Sequence, residues 1–181
     1  MNLKTNIINY ENINNIRPLL KNKKLGLCHG AFDILHFGHA DHFKEAKKNC
    51  DILVVSITSD KFIKKGPLQP FFNIQQRVKF LLSIKYVDYI YISNSLTGEE
   101  AINLLKPNLY IKGIDYVNQK KDKNLIKEKK ICKKNNTKLF YTKTVKYSST
   151  RILNNHFNEI TKETHVLLRK INKKYSLKNI S

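Results

Sequence analysis

The chain has 181 residues, 41% hydrophobic and 27% charged, with 34 Lys plus Arg against 14 Asp plus Glu for a formal charge of +20. Length and composition suit one globular domain with a substantial core and exclude a disordered tail, while the lack of a bilayer-length apolar run or a secretory h-region excludes membrane insertion and predicts a cytoplasmic location. The positive balance points to an anionic partner such as nucleic acid, a membrane surface or a phosphorylated small molecule, although a compositional bias toward Lys, Asn and Ile accounts for it equally well.

Residues 10–20, "YENINNIRPLL", are predicted as a short helix before the first strand. "KLGLC", 24–28, is a short apolar run that reads as a buried strand. From Gly38, "GHADHFKEAKKNC" places Ala40, Phe43 and Ala46 at helical spacing. "DILVVSITSD", Asp51 to Asp60, has the continuous aliphatic core of a strand covered on both faces. Gly66, Pro67 and Pro70 make the next stretch a loop. "NIQQRVKFLLSIKY", 73–86, begins on a capping residue and carries Ile74, Val78, Leu81 and Leu82 along one helical face. "VDYIYIS" is strand-like, and "TGEEAINLLK" opens a helix with Thr97 as its cap and two glutamates in the first turn. "PNLYIKG" is a strand, "KNLIKEKKICKKNN" a helix, "TKLFYTK" a strand, and "SSTRILNNHF" starts a helix at Ser148 or Ser149.

The alternation predicts an α/β fold, Rossmann-like, with a mostly parallel five-stranded sheet and helices on both faces. The domain is placed at residues 1–160, including an N-terminal helical extension, and 161–181 as a C-terminal amphipathic helix or linker. There is no internal repeat. Cys28, Cys50 and Cys132 are odd in number and lack CxxC spacing, so they read as isolated thiols.

In such sheets ligands bind at the carboxyl ends of the strands. The polar segments of this chain fall there: "HGAFD", "TSDKFIKKG", "SNSLTGEE", "KGIDY" and "KTVKYSST" each follow a predicted strand. In "GAFDILHFGH", residues 30–39, His36 and His39 stand at the start of a helix whose N-terminal amides favour an anion. Two imidazoles and a helix terminus can cradle phosphate oxygens and stabilise charge that develops on them. Gly38 lets the ligand approach the backbone. Zinc is an alternative, with Asp33, Asp41 or His42 near in sequence, but HxxH lacks the glutamate of HExxH. A plain helix cap is the other alternative. Asp33 either meets a divalent cation carried by phosphates or braces the turn through backbone hydrogen bonds.

"GAFDILHFGH" followed by "SITSDKFIKKGP", "NIQQR", "VDYIYIS", "LKPNLYIKGIDY" and "YSSTRIL" resembles the cytidylyltransferase-like family with its HxGH signature, in order and from about Lys24 to Leu153. The resemblance implies attack by an acceptor phosphate oxygen on the α-phosphorus of a nucleoside triphosphate, with Mg2+ assistance and release of pyrophosphate. It makes His36, His39 and Lys65 catalytic, with Lys64 in reserve for Lys65. It makes Gly30, Ala31, Phe32, Asp33, Gly38, Arg77, Lys112, Gly113, Asp115, Tyr147, Ser148, Ser149, Thr150 and Arg151 the nucleotide-binding set, and Asp33 the residue for the metal. Asp115 meets the base or ribose or caps its turn, and Tyr116 packs or gates. Such transfer is mainly positioning and charge stabilisation.

"KGP", "KPNLYIKGIDY" and "YSSTRIL" are most similar to heptose-phosphate adenylyltransferases, which implies transfer of AMP from ATP to a sugar 1-phosphate. Glycerol-3-phosphate cytidylyltransferases, which use CTP, resemble the first half nearly as well, and flavin or pantetheine nucleotidyltransferases share the phosphate machinery. Lys143, Val145 and Lys146 stand where "RTEGISTT" has arginine, glutamate and glycine, so base and acceptor stay open. The resemblance also implies a homodimer and a sugar kinase, fused or separate, that supplies the acceptor. A nucleic-acid-binding module would use the charge together with Phe71, Phe72, Tyr89, Tyr91, Tyr141 and Tyr147. It would leave the histidine motif without a task, and Tyr89 and Tyr91 fall in a predicted strand.

Overall fold

A computed structural model describes residues 6–9, 12–63, 70–119 and 121–143, all within the first of two units, 1–146 and 147–181. The expectations for Lys64, Lys65, Tyr147, Ser148, Ser149, Thr150, Arg151, the helix from Ser148 or Ser149 and the 161–181 tail lie outside the described residues.

Strands β1 (Ile7–Ile8), β2 (Leu25–Gly30), β3 (Ile52–Thr58), β4 (Tyr89–Ser93), β5 (Leu109–Gly113) and β6 (Lys138–Thr142) alternate with helices α1 (Ile13–Leu20), α2 (Phe37–Lys47), α3 (Ile74–Leu82), α4 (Glu99–Leu105) and α5 (Lys123–Lys134). The sheet order is β1-β4-β3-β2-β5-β6, and every pairing is parallel. After β2 the chain steps outward through β3 to β4, then returns to the other side of β2 for β5 and β6. Right-handed crossovers then put α2 and α3 on one face and α4 and α5 on the other. The two cores agree: Phe43, Ala46, Val78 and Leu81 pack on Val55, Ile57, Ile90 and Ile111, whereas Ile13, Ile16, Ala101, Ile102 and Cys132 pack on Leu27, Val54, Tyr91 and Tyr110. Each fully buried Val, Leu or Ile contributes roughly 1.5–3 kcal/mol, so the aliphatic runs in β2, β3 and β5 settle the centre of the sheet.

The sheet has six strands rather than five. Ile7 and Ile8, which precede the helix expected over 10–20, pair with Ile90 and Tyr91 as a strand that the sequence reading does not include. A two-residue strand has no periodicity to read, and side chains hold it: Asn6 Nδ2 donates to the Asp88 carbonyl at 2.8 Å and Asn12 Nδ2 to the Ile7 carbonyl at 2.6 Å. The short helix expected over 10–20 is present as α1. Asn73 caps α3 as expected, accepting from the Gln76 amide while the Gln76 side chain accepts from the Asn73 amide, each at 3.0 Å. Thr97 is not the cap of α4. Gly98 holds that position, and the Thr97 hydroxyl instead donates to Glu99 Oε2 at 2.8 Å.

Candidate active site

The strand order reverses between β2 and β5, and an open parallel sheet has its crevice at that point, outside the carboxyl ends. The β2 end continues into Gly30–His39 and the β5 end into Gly113–Tyr116, so the two segments meet there.

The first segment is held from three sides. Phe32 takes a left-handed φ of 49°, uncommon for an aromatic residue, and its ring packs edge-on to His39 with centroids 5.6 Å apart and against Phe43 at 5.3 Å. A Cβ on Gly30 would lie 3.1 Å from the Phe32 ring, so glycine there lets the aromatic fold back. Asp33 spends one oxygen on the Phe71 amide and the other on the Phe72 amide, each at 3.0 Å. Of its two sequence-derived roles, the structure displays the brace. Arg77, 1% exposed, donates to the carbonyls of Phe72 at 3.0 Å, Thr58 at 2.9 Å and Ala31, and pairs with Asp60. Its guanidinium is therefore enclosed by the loops after β2 and β3 and the start of α3, and Ala31 serves through its backbone.

His36 is the N-cap of α2, with Phe37, Gly38 and His39 forming the first turn, whose amides have no carbonyl one turn before them in the helix. The His36 amide donates to His39 Nδ1 at 3.3 Å, and the His39 amide returns to the His36 carbonyl at 2.9 Å. A neutral His39 that accepts at Nδ1 carries its proton on Nε2, where it can be given to an anion. The two rings lie 4.0 Å apart and tilted by 38°. Burial, then His36 and His42, lower the His39 pKa to about 3, and burial lowers that of His36. Both imidazoles are neutral hydrogen-bonding groups near pH 7.

On the β5 side, Lys112 is 7% exposed. Its Nζ lies 2.7 Å from Glu128 Oε2 and over the Tyr116 ring at 4.5 Å. Glu128 Oε1 accepts from the Gly98 amide at 2.9 Å and the Tyr110 hydroxyl at 2.8 Å. Lys112 is thus a buried, neutralised cation whose near neighbour on the site side is Tyr116. A Cβ on Gly113 would lie 2.5 Å from Asp115 Oδ1, so Asp115 lies over that glycine at the mouth of the crevice. His29, one residue before Gly30, donates from Nε2 to the Leu96 carbonyl at 3.2 Å and is 2.9 Å from Ser56 Oγ. Burial brings its pKa down to about 4.

Zinc finds no ligand set among the described residues, where no three His, Cys, Asp or Glu side chains converge. His42, one candidate for it, is engaged with Thr142 at 2.8 Å and Cys28 at 3.3 Å. Mg2+ needs few direct protein ligands, and each Asp33 oxygen, with one backbone amide on it, keeps a lone pair that would meet such an ion carried by phosphates. Sequence reasoning missed Asp60 and Glu128, which hold Arg77 and Lys112. They lie 17 and 16 residues from their partners, and no local spacing pairs them.

The cytidylyltransferase-like family model matches residues 27–155. The chain belongs to that family. This places the domain among enzymes of nucleotidyltransferase type. Among curated proteins it is similar to the bifunctional protein HldE of Aliarcobacter butzleri, 36% identical over 119 residues, which is 64% of this chain and 25% of that protein. It is also similar to HldE of Helicobacter pylori strain J99, 40% identical over 99 residues, or 54% of this chain and 21% of that protein. The matched region thus spans about a quarter or less of these relatives' length. A solved structure described as the lipopolysaccharide core biosynthesis protein from Thermoplasma volcanium superposes with a TM-score of 0.56 at 25% identity, covering 69% of this chain and all of the other. The pantoate-beta-alanine ligase of Francisella tularensis shares the fold, with a TM-score of 0.60 at 21% identity over 92% of this chain and 77% of the other.

Proposed function

We propose that this domain transfers AMP from ATP to a sugar 1-phosphate of the heptose-phosphate kind, releasing pyrophosphate. The observation that carries the reading is the pair of neutral imidazoles at the N-terminus of α2, over the crevice between β2 and β5. Similarity to HldE proteins and to a lipopolysaccharide core biosynthesis protein supports a sugar-phosphate acceptor.

In this reading an acceptor phosphate oxygen attacks the α-phosphorus of the triphosphate. The new P–O bond forms as the bond to the β-phosphate bridging oxygen breaks, and pyrophosphate leaves with the electron pair. The Gly38 amide in the first turn of α2 and His39 Nε2–H bind the triphosphate oxygens, and His36 lies beside them. Their hydrogen bonds strengthen as negative charge moves toward the leaving group. Phe32 supports the His39 ring from behind and is itself backed by Phe43. Asp33 and Arg77 hold the loop walls, so the donors are in place before substrate arrives. For Lys65 and for Tyr147, Ser148, Ser149, Thr150 and Arg151, phosphate and nucleotide binding is the role that the family motif suggests. The domain works as a homodimer and takes its acceptor from a sugar kinase, fused or separate.

The test is pyrophosphate release by the purified protein with Mg2+ present, crossing ATP and CTP against heptose 1-phosphate and glycerol 3-phosphate. Turnover confined to ATP with the sugar 1-phosphate is expected. CTP with glycerol 3-phosphate would overturn the substrate assignment and leave the phosphate chemistry standing. Absence of triphosphate binding would overturn both.

A further inference from the structure

The helix that begins with His36 is tied to the far edge of the sheet by two residues without any role so far. His42 stands one turn beyond His39 and Glu45 nearly another turn on. The Thr142 hydroxyl donates to the Lys112 carbonyl at 3.4 Å, so its oxygen is the acceptor toward His42 Nδ1, which leaves His42 Nε2 to accept the S–H of Cys28, 3.3 Å away. His42 then carries its proton on Nδ1 and donates it to Thr142 Oγ1 at 2.8 Å. Three residues later, both oxygens of Glu45 accept from the Lys143 amide, each at 2.9 Å. Thr142 ends β6 and Lys143 follows it, so partners about 100 residues apart in sequence are clamped to one side of α2.

We propose that His42 and Glu45 are positioning residues for nucleotidyl transfer, fixing the roll of α2 about its axis and hence the direction in which His39 presents Nε2–H. The proposal rests on the transfer reading above. Phe43 and Ala46 seat α2 on the sheet and Lys47 ties its last turn to Asp88, while His42 and Glu45 are the side chains that fix the helix on the side of β6. Side chains lie about 5–6 Å from a helix axis, so a roll of about 10° moves an imidazole by about 1 Å. Misplacement on that scale lowers a rate by up to about 100-fold. Glu45 and His42 act from the side of α2 that meets the end of β6.

The experiment compares Glu45→Ala, Glu45→Gln and His42→Leu with the full chain, at a temperature where thermal scans find all four folded. Glu45→Gln retains an acceptor for the Lys143 amide, and His42→Leu keeps the bulk while removing both ring hydrogen bonds. Glu45→Ala and His42→Leu are expected to lower kcat about 10- to 100-fold with KM for triphosphate and acceptor nearly unchanged, and Glu45→Gln to restore most of kcat. In parallel, the NMR shifts of the His39 ring protons, which the edge-on Phe32 ring at 5.6 Å sets from outside the helix, are expected to move in Glu45→Ala. Unchanged kcat in both disruptive variants, or loss in Glu45→Gln equal to that in Glu45→Ala, would overturn the proposal. If the unaltered chain turns over no triphosphate, the transfer reading fails separately. The NMR signal needs no turnover: a His39 signature indifferent to Glu45→Ala would overturn the clamp, and a shifted one would sustain it.

Discussion

Replacing Arg77 by Ala removes a buried guanidinium that reaches the carbonyls of Phe72, Thr58 and Ala31 and the carboxylate of Asp60. Each carbonyl left buried without a donor costs about 1 kcal/mol or more. The loss of Asp60's partner adds less than a fully buried ion pair would, because the Asp60 side chain is 39% exposed and rehydrates. Three carbonyls, a weakened carboxylate and the side-chain void together give about 3–5 kcal/mol, the range seen when one member of a buried pair is deleted. Against a total stability of about 5–15 kcal/mol this is a large fraction. For a chain of this size it lowers Tm by about 6–20 °C. Thermal and urea unfolding of Arg77→Ala, Arg77→Lys and Asp60→Asn measure it. Arg77→Lys should fall between, since one ammonium cannot serve four acceptors arranged around a planar fork. Asp60→Asn, which leaves the carbonyl acceptors satisfied, should cost about 1 kcal/mol. If Arg77→Ala melted within 2–3 °C of the unaltered chain, about the effect of 1 kcal/mol, the enclosure of Arg77 by the loop carbonyls would be the wrong account. Lost triphosphate affinity with stability intact would then make it a direct phosphate ligand.

His36→Ala and His39→Ala should each lower kcat by about 100-fold or more with little change in acceptor KM, the pattern for donors that strengthen in the transition state; steady-state kinetics with near-normal kcat in both would refute their role. The His29 and His42 pKa values are depressed to about 4, so the unfolded chain binds more protons below its ordinary histidine value of about 6.5, and the stability these residues confer is complete above that pH and lost as pH falls toward 4. Unfolding midpoints measured from pH 7 to 4 should therefore drop, and the drop should be smaller in His42→Leu; equal slopes would refute the buried neutral state. Glu128→Gln should destabilise by about 3–5 kcal/mol by stranding the Lys112 charge, whereas the double change Lys112→Met with Glu128→Gln, which keeps an acceptor for the Gly98 amide and the Tyr110 hydroxyl, should recover much of that loss, as a double-mutant cycle in urea would show. Simple additivity would refute the pairing of Lys112 with Glu128.

The strands from β2 to β6 and the helices between them were legible because each carries its own pattern, aliphatic runs such as Ile52–Val55 or a helical stripe such as Val78 and Leu81, and burial of those stripes on a parallel sheet admits few arrangements. The edge strand Ile7–Ile8 was not, because two residues have no period and its stability comes from Ile90, Tyr91 and the asparagines that fix its ends. The histidine motif could be read as an anion cradle from glycine, imidazole and helix start alone. What Arg77, Asp33 and Lys112 touch could not, since a charged side chain has the same spelling in solvent and in a sealed staple, and only the fold decides whether its partner is water, Asp60 or Glu128. The tautomer of His39 is of the same kind: it follows from one amide 3.3 Å away. Hydrophobic periodicity is a local property, so the five longer strands and the helices between them could be read from the sequence alone. Tertiary structure alone decided which polar groups are bound, neutral or buried, because hydrogen bonds and desolvation depend on neighbours that the chain brings together from as many as 100 residues away.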